Sequence, residues 1–399
     1  MSKIRHRNFD YDPKLFLRCH SKTDRDYADI KTQVWQASFE PSKSSKLVAT
    51  CGGNKICIID VRSQEVDQRY TADTKEIFYT LSWGKLKHEL LEEDGSILAA
   101  GGVRNIIYFM FPAREILLTQ YPIKVSKPAS THISCLLFHP SDENILFCAF
   151  NNGEILILRL SINEDLMLII TEINKITCFY EIFSLSYCSS LNLLLAASDN
   201  GLLGWFVDNC DEEILTGDIL RFRLPEKEGD PQSTGFDLVD SVEKINDKLI
   251  AVKCALHGYI YICSLDNIKN LARDSQCIGL QPNYNLNWSK TDNYFMGISV
   301  NYEKGLLTCG DDQGAIWIYD IEMLKKKEEL PKKPLPIMPA RTIQWPVVND
   351  KYVAKSRKLD LDVYDIVIAK AAIHPKGKYI VAVTNNNTVC IWKLTSNNK

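Results

Sequence analysis

Four aromatic residues recur at related positions of the chain and could together hold a cation. Trp35 lies four residues before Phe39, Tyr79 four before Trp83, and Tyr294 four before Ile298, with Phe295 beside it. Several aromatic faces around a small space suit a quaternary ammonium. The negative π-faces attract a cation too bulky and too poorly hydrated to prefer water. That is the physics of methyl-lysine recognition. Packing of strand starts is the bland use of such residues, and Phe183, four before Tyr187, fills the same position outside the proposed set of four.

Other chemistry finds little support. The chain has no P-loop, no GxSxG elbow and no HExxH helix, so no enzyme is expected. GGVRN at 101–105 is a turn between strands and not a phosphate loop. His139 and His374 each sit in a His-Pro step at one place in a repeat, which reads as a turn residue. Asp311 and Asp312 lie in a GDDQG hairpin, where Asp and Gly are ordinary turn formers. The 13 cysteines form no CxxC pair and sit singly in apolar runs such as KICIID, so they read as small buried residues in a reducing compartment. No cofactor and no metal are expected. The start MSKIRHRNFD carries no apolar stretch, so no secretory leader is expected, and no run of about 18 apolar residues suggests a membrane span. A net charge of −3 gives no drive toward nucleic acid and suits a basic partner such as a histone tail.

The elements that must position the four aromatics are short strands in a recurring order. An alternating strand ends in an anchor residue and a turn. A short apolar strand follows and runs into Gly, Asn or Asp, and then a third strand rich in Ile, Val, Trp and Tyr. Such units begin at VWQASFEP (34–41), FYTLSWGK (78–85), ISCLLFHP (133–140), IFSLSYCSS (182–190), VDSVEKIND (239–247), YFMGISVNYE (294–303) and VIAKAAIHP (367–375). Phe39 to Trp83 is 44 residues, Trp83 to Phe138 is 55, and Phe138 to Tyr187 is 49. That period marks WD-type propeller blades with extended loops, and IYD at 318–320 keeps the degenerate Trp-Asp position. The expected fold is therefore all-β: one seven-bladed WD-repeat β-propeller over 15–399, after a tail at 1–14. LFLRCHS at 15–21 should supply the outer strand of the last blade and close the ring, removing an exposed edge. KKKEELPKKPLPIMPAR at 325–341 reads as an exposed Lys/Pro-rich loop, with TIQWPV at 342–347 returning to the sheet. First strands line the central channel, so equal offsets place Trp35, Tyr79, Tyr294 and Phe295 at one mouth, on neighbouring blades.

The same residues resemble a known family. RCHSK (18–22), DIKTQVWQASFEP (29–41), VATCGGNKICIID (48–60), LLTCGDDQGAIWIYD (306–320) and TVCIWK (388–393) are similar to the propeller of the origin-recognition-complex-associated leucine-rich-repeat and WD-repeat proteins of animals. A more distant similarity is to the embryonic ectoderm development protein of Polycomb repressive complex 2, whose cage positions fall on Trp35, Tyr79, Tyr294 and Phe295. The first resemblance implies a nuclear, chromatin-associated protein that binds origin recognition complex subunits, methylated histone tails and other chromatin proteins. It implies a role in replication initiation and heterochromatin, with no membrane and no direct sequence-specific nucleic acid as partner. No LxxLxLxxN repeat precedes Trp35, so whatever leucine-rich repeats contribute is in doubt. The other readings are a Polycomb-type subunit of a histone methyltransferase complex, a generic WD scaffold such as a ubiquitin-ligase adaptor and, most distantly, a propeller hydrolase.

Overall fold

The computed structural model of the chain describes residues 7–395, apart from 24–25, 27–28, 87–94, 128, 166, 213–217, 327–328 and 347–365. Seven sheets follow one another in chain order around a common axis, their inner three strands consecutive and antiparallel. This is the seven-bladed propeller that the repeat predicts. In blade one the strands are Val34–Phe39, Leu47–Gly52, Lys55–Asp60 and Glu65–Thr71, and burial falls from the second and third strands outward. The inner strands pack blade on blade: Phe147 and Trp205, both fully buried, join blades three and four in one cluster.

The ring is closed by Tyr11–Leu17, which pairs antiparallel with Val389–Leu394 and completes the sheet of Ile368–Ile373 and Tyr379–Thr384. The closing strand lies earlier than 15–21. Arg18 ends the pairing, and the next three residues turn inward, with His20 fully buried. Its ring contacts Thr50 Oγ1 at 2.9 Å and Gly52 O at 3.2 Å, which locks the closing segment onto blade one.

Two insertions do more than loop. Cys277–Gly279 adds a fifth, parallel strand to blade four against Leu220–Arg223. Leu335–Ile337 adds a fifth, parallel strand to blade five against Pro282–Asn287. Of the segment 325–341, residues 327–328 lie outside the described residues; Leu335 at 50% and Met338 at 65% are exposed, while the backbone of Leu335–Ile337 is pinned to a sheet edge. Arg341–Gln344 then supplies the outer strand of blade six.

Candidate functional site

Every first strand but one starts with the same irregularity. In blade one Val34 pairs with Gly52 and Gln36 with Cys51, so Trp35 is the extra, unpaired residue of a β-bulge. A bulge re-aims its side chain. Tyr79, Ser134, Phe183, Asp240 and Ala369 occupy that position in blades two, three, four, five and seven. These side chains ring one mouth of the channel at one height.

Blade six departs from this. Thr50-Cys51-Gly52 and Thr308-Cys309-Gly310 are the same stretch of their blades. Thr50 pairs with Ala37, and Thr308 with Ser299. Gly297, and not Tyr294, therefore stands at the level of Trp35, and the residue matching Phe39 is Asn301, three places beyond Ile298. Tyr294 and Phe295 sit in the loop before the strand, so their offset from Ile298 is not what brings them to the mouth. Two small residues stand at this level in the neighbouring blades, Gly297 in blade six and Ala369 in blade seven. Gly297 N–H donates to Ala369 O at 2.8 Å, and a Cβ on Gly297 would sit 3.0 Å from Lys370 Cδ.

The loop is also held from blade five. The carboxylate of Asp240 accepts from Met296 N–H at 3.3 Å and pairs with Lys253 Nζ at 2.6 Å, in a site with both side chains fully buried. Lys253 Nζ in turn lies 4.6 Å from the centre of the Trp288 ring. Phe295 takes a left-handed backbone, φ +66°. For a bulky residue this is a strained conformation, which persists where the surroundings over-determine it.

The result is a set of rings in successive near-perpendicular planes. Tyr79 and Trp35 are 5.4 Å apart at 83°, Trp35 and Phe295 5.9 Å at 87°, and Phe295 and Phe183 5.3 Å at 85°. Tyr294 backs this set, 4.5 Å from Phe295 and 5.7 Å from Phe183. Tyr294 and Phe295 remain 42% and 41% exposed. All four predicted residues thus come together, and Phe183 joins them. His132 stands against Tyr79 at 5.0 Å, with burial holding its imidazole below the ordinary range and so neutral at neutral pH. Burial and the nearby Glu76 raise the Tyr79 phenol. Trp35, Tyr79, His132, Phe183 and Phe295 line one end of a cavity of about 820 Å³ that continues down the channel to Glu243 and Lys370. Burial raises the Glu243 carboxyl, against the pull of Lys370. Such an arrangement can surround a bulky cation with π-faces and leave its chain in solvent.

The remaining candidates have structural partners. His139 Nδ1 accepts N–H groups of Ser141 and Asp142, and His374 Nδ1 that of Lys376, as turn residues do. Asp311 accepts from the backbone of Gln313 and Ala315 and from Trp317 Nε1, and Asp312 from Thr291 and Asn293. The cysteines are free thiols, most of them buried. Cys19, His20 and Cys57 bring three metal-type ligand atoms within 4.8 Å of one another. Both ring nitrogens of His20 are already engaged by Thr50 and Gly52, so the group serves the closure seam.

Comparison with known proteins agrees with this architecture. Residues 6–395 match the family model described as "Leucine-rich repeat and WD repeat-containing protein 1, WD domain". The protein of that name from Xenopus laevis is 28% identical over 96% of this chain and 53% of its own length. The human one is 26% identical over 96% of this chain and 57% of its length. The chain thus spans about half the length of the curated relatives it matches. Among solved structures, a chain of the Chaetomium thermophilum Polycomb repressive complex 2 superposes with a TM-score of 0.70 at 12% identity, covering 98% of this chain and all of that one. Another, from that complex with H3K27me3 and H3K27M, gives 0.69 at 12% identity, covering 98% of each. At that identity the likeness is one of fold.

Proposed function

The chain belongs to the family of the leucine-rich repeat and WD repeat-containing protein 1 WD domain, and from that premise we propose that it reads trimethyl-lysine on histone tails. Trp35, Tyr79, Tyr294 and Phe295 form the cage, and Phe183 is its fifth ring. The observation that carries this is the succession of near-perpendicular rings at one channel mouth, in a chain with a net charge of −3. Adjacent walls at right angles give a bulky quaternary ammonium more than one face at once, and each well-placed face contributes about 0.5–2 kcal/mol. Support also comes from a fold neighbour whose complex was solved with a trimethylated histone peptide. In this reading the protein is nuclear and chromatin-bound, binds origin recognition complex subunits, and carries no catalytic role. The relatives are named for their repeats and not for a reaction.

The direct test is titration with histone-tail peptides that differ only in the methylation of one lysine. The trimethylated peptide should bind roughly tenfold or more tightly than the unmethylated one, since tenfold needs only about 1.4 kcal/mol. Equal affinities would overturn the reading. A pull-down from nuclear extract, probed for origin-complex subunits and for Polycomb methyltransferase, distinguishes the origin-associated role from a Polycomb-type one.

A further inference from the structure

The segment that enters blade four carries Phe179 and Glu181 in its loop and Phe183 in its first strand, at alternate positions. Phe183 is a ring of the cage cluster. Glu181, two residues earlier, lines the same cavity and is half-buried. Phe179, two residues earlier again, is 78% exposed and held at φ +62°, the same unusual backbone as Phe295. An exposed phenylalanine in that conformation is costly twice over, in strain and in hydration.

Among the described residues, Glu181 has no cationic partner. Of the other carboxylates lining the cavity, Asp240 is paired with Lys253, Glu303 with Lys43 at 3.0 Å, and Glu243 faces Lys370. The groups acting on Glu181 are its burial and the like charge of Asp199, whose carboxylate accepts Glu181 N–H at 3.0 Å, and both raise its pKa. The guanidinium of Arg221, 6.0 Å from the centre of the Tyr180 ring, is engaged elsewhere, bonded to Asn200 Oδ1 and stacked 4.4 Å over Phe236. An incoming cation would relieve this crowding of like charge.

We infer that Glu181 selects a second cationic side chain in the ligand, an arginine or unmodified lysine close in sequence to the methylated lysine, with Phe179 as the apolar plate for its stem. The inference rests on the cage reading above and adds direction to it. The peptide leaves the cage over blade four. Extended chain advances about 3.3–3.6 Å per residue, so a neighbour one or two residues away reaches from Phe183 to Glu181. Long cationic side chains lay their methylenes on apolar surface and keep their charge at its edge.

A two-by-two titration tests this. Trimethyl-lysine peptides with one flanking arginine, or alanine in its place, are measured against the wild-type protein and Glu181→Gln, with thermal melts confirming that the variant folds. A half-exposed ion pair predicts that wild type loses about threefold to fivefold when the arginine is removed, and that Glu181→Gln loses nothing further. Equal losses in both proteins would overturn the inference while leaving the cage intact. Trp35→Ala reports on the cage separately. If wild type prefers the trimethylated form and Trp35→Ala does not, the cage reading stands whatever Glu181 does.

Discussion

Phe295 concentrates the physics of the site in one residue. It sits between Trp35 and Phe183, backed by Tyr294, and it holds a backbone conformation that glycine adopts freely and phenylalanine does not. Phe295→Gly should therefore leave the melting temperature unchanged or raise it, while peptide affinity falls roughly tenfold or more through loss of a π-face. A parallel drop in stability and affinity would show that the ring is a packing residue. Trp35 and Tyr79 were legible as residues of the candidate site because a strand keeps its offset from the anchor that ends it. Phe183 has the same offset but reads as filler. What makes it a wall is Phe295, and that contact crosses the mouth from a loop whose path no local pattern encodes.

At the scale of elements, the cage depends on how blade five holds the loop before blade six. The buried pair of Asp240 and Lys253 fixes the N–H of Met296, next to Phe295. Removing one partner strands a buried charge, so Asp240→Asn should cost about 3–5 kcal/mol in denaturant unfolding and also weaken peptide binding. Stability within 1 kcal/mol of wild type would contradict that role. The turn after the first strand of blade seven supplies a pH-sensitive contact. His374 accepts Lys376 N–H at Nδ1 and donates from Nε2 to Ser45 O of blade one at 3.0 Å. Burial lowers its pKa; the bond to Ser45 O opposes this, and Lys376, Arg62 and Lys378 add to the lowering. The unfolded chain then binds the proton first, near pH 6.5. The contact's stability is complete above about that pH and is lost as pH falls through the folded value. His374→Asn should flatten the stability profile between about pH 7 and 5, and a folded-state midpoint at or above 6.5 by NMR would refute this.

Across the whole molecule, the seven blades were legible because each repeats a strand, a turn and two further strands in the same order. The closing strand was legible as an idea, but its position was not. Tyr11–Leu17 has no periodic partner nearby in sequence, and the segment after it looks equally strand-like. The parallel strands Cys277–Gly279 and Leu335–Ile337 left no signal, because a three-residue parallel edge needs neither a tight turn nor an alternating pattern. The site inherits the same division. Repeats place three rings by bulge geometry, and the loop before Gly297 carries the other two. In the proposed function these rings bind a charge and not merely a shape. The most direct measurement compares a trimethyl-lysine peptide with its neutral isostere, in which a carbon replaces the quaternary nitrogen. Cation–π binding predicts that the neutral peptide binds at least about tenfold more weakly, and that Trp35→Ala removes most of the difference. Equal affinity for the two peptides would contradict the account.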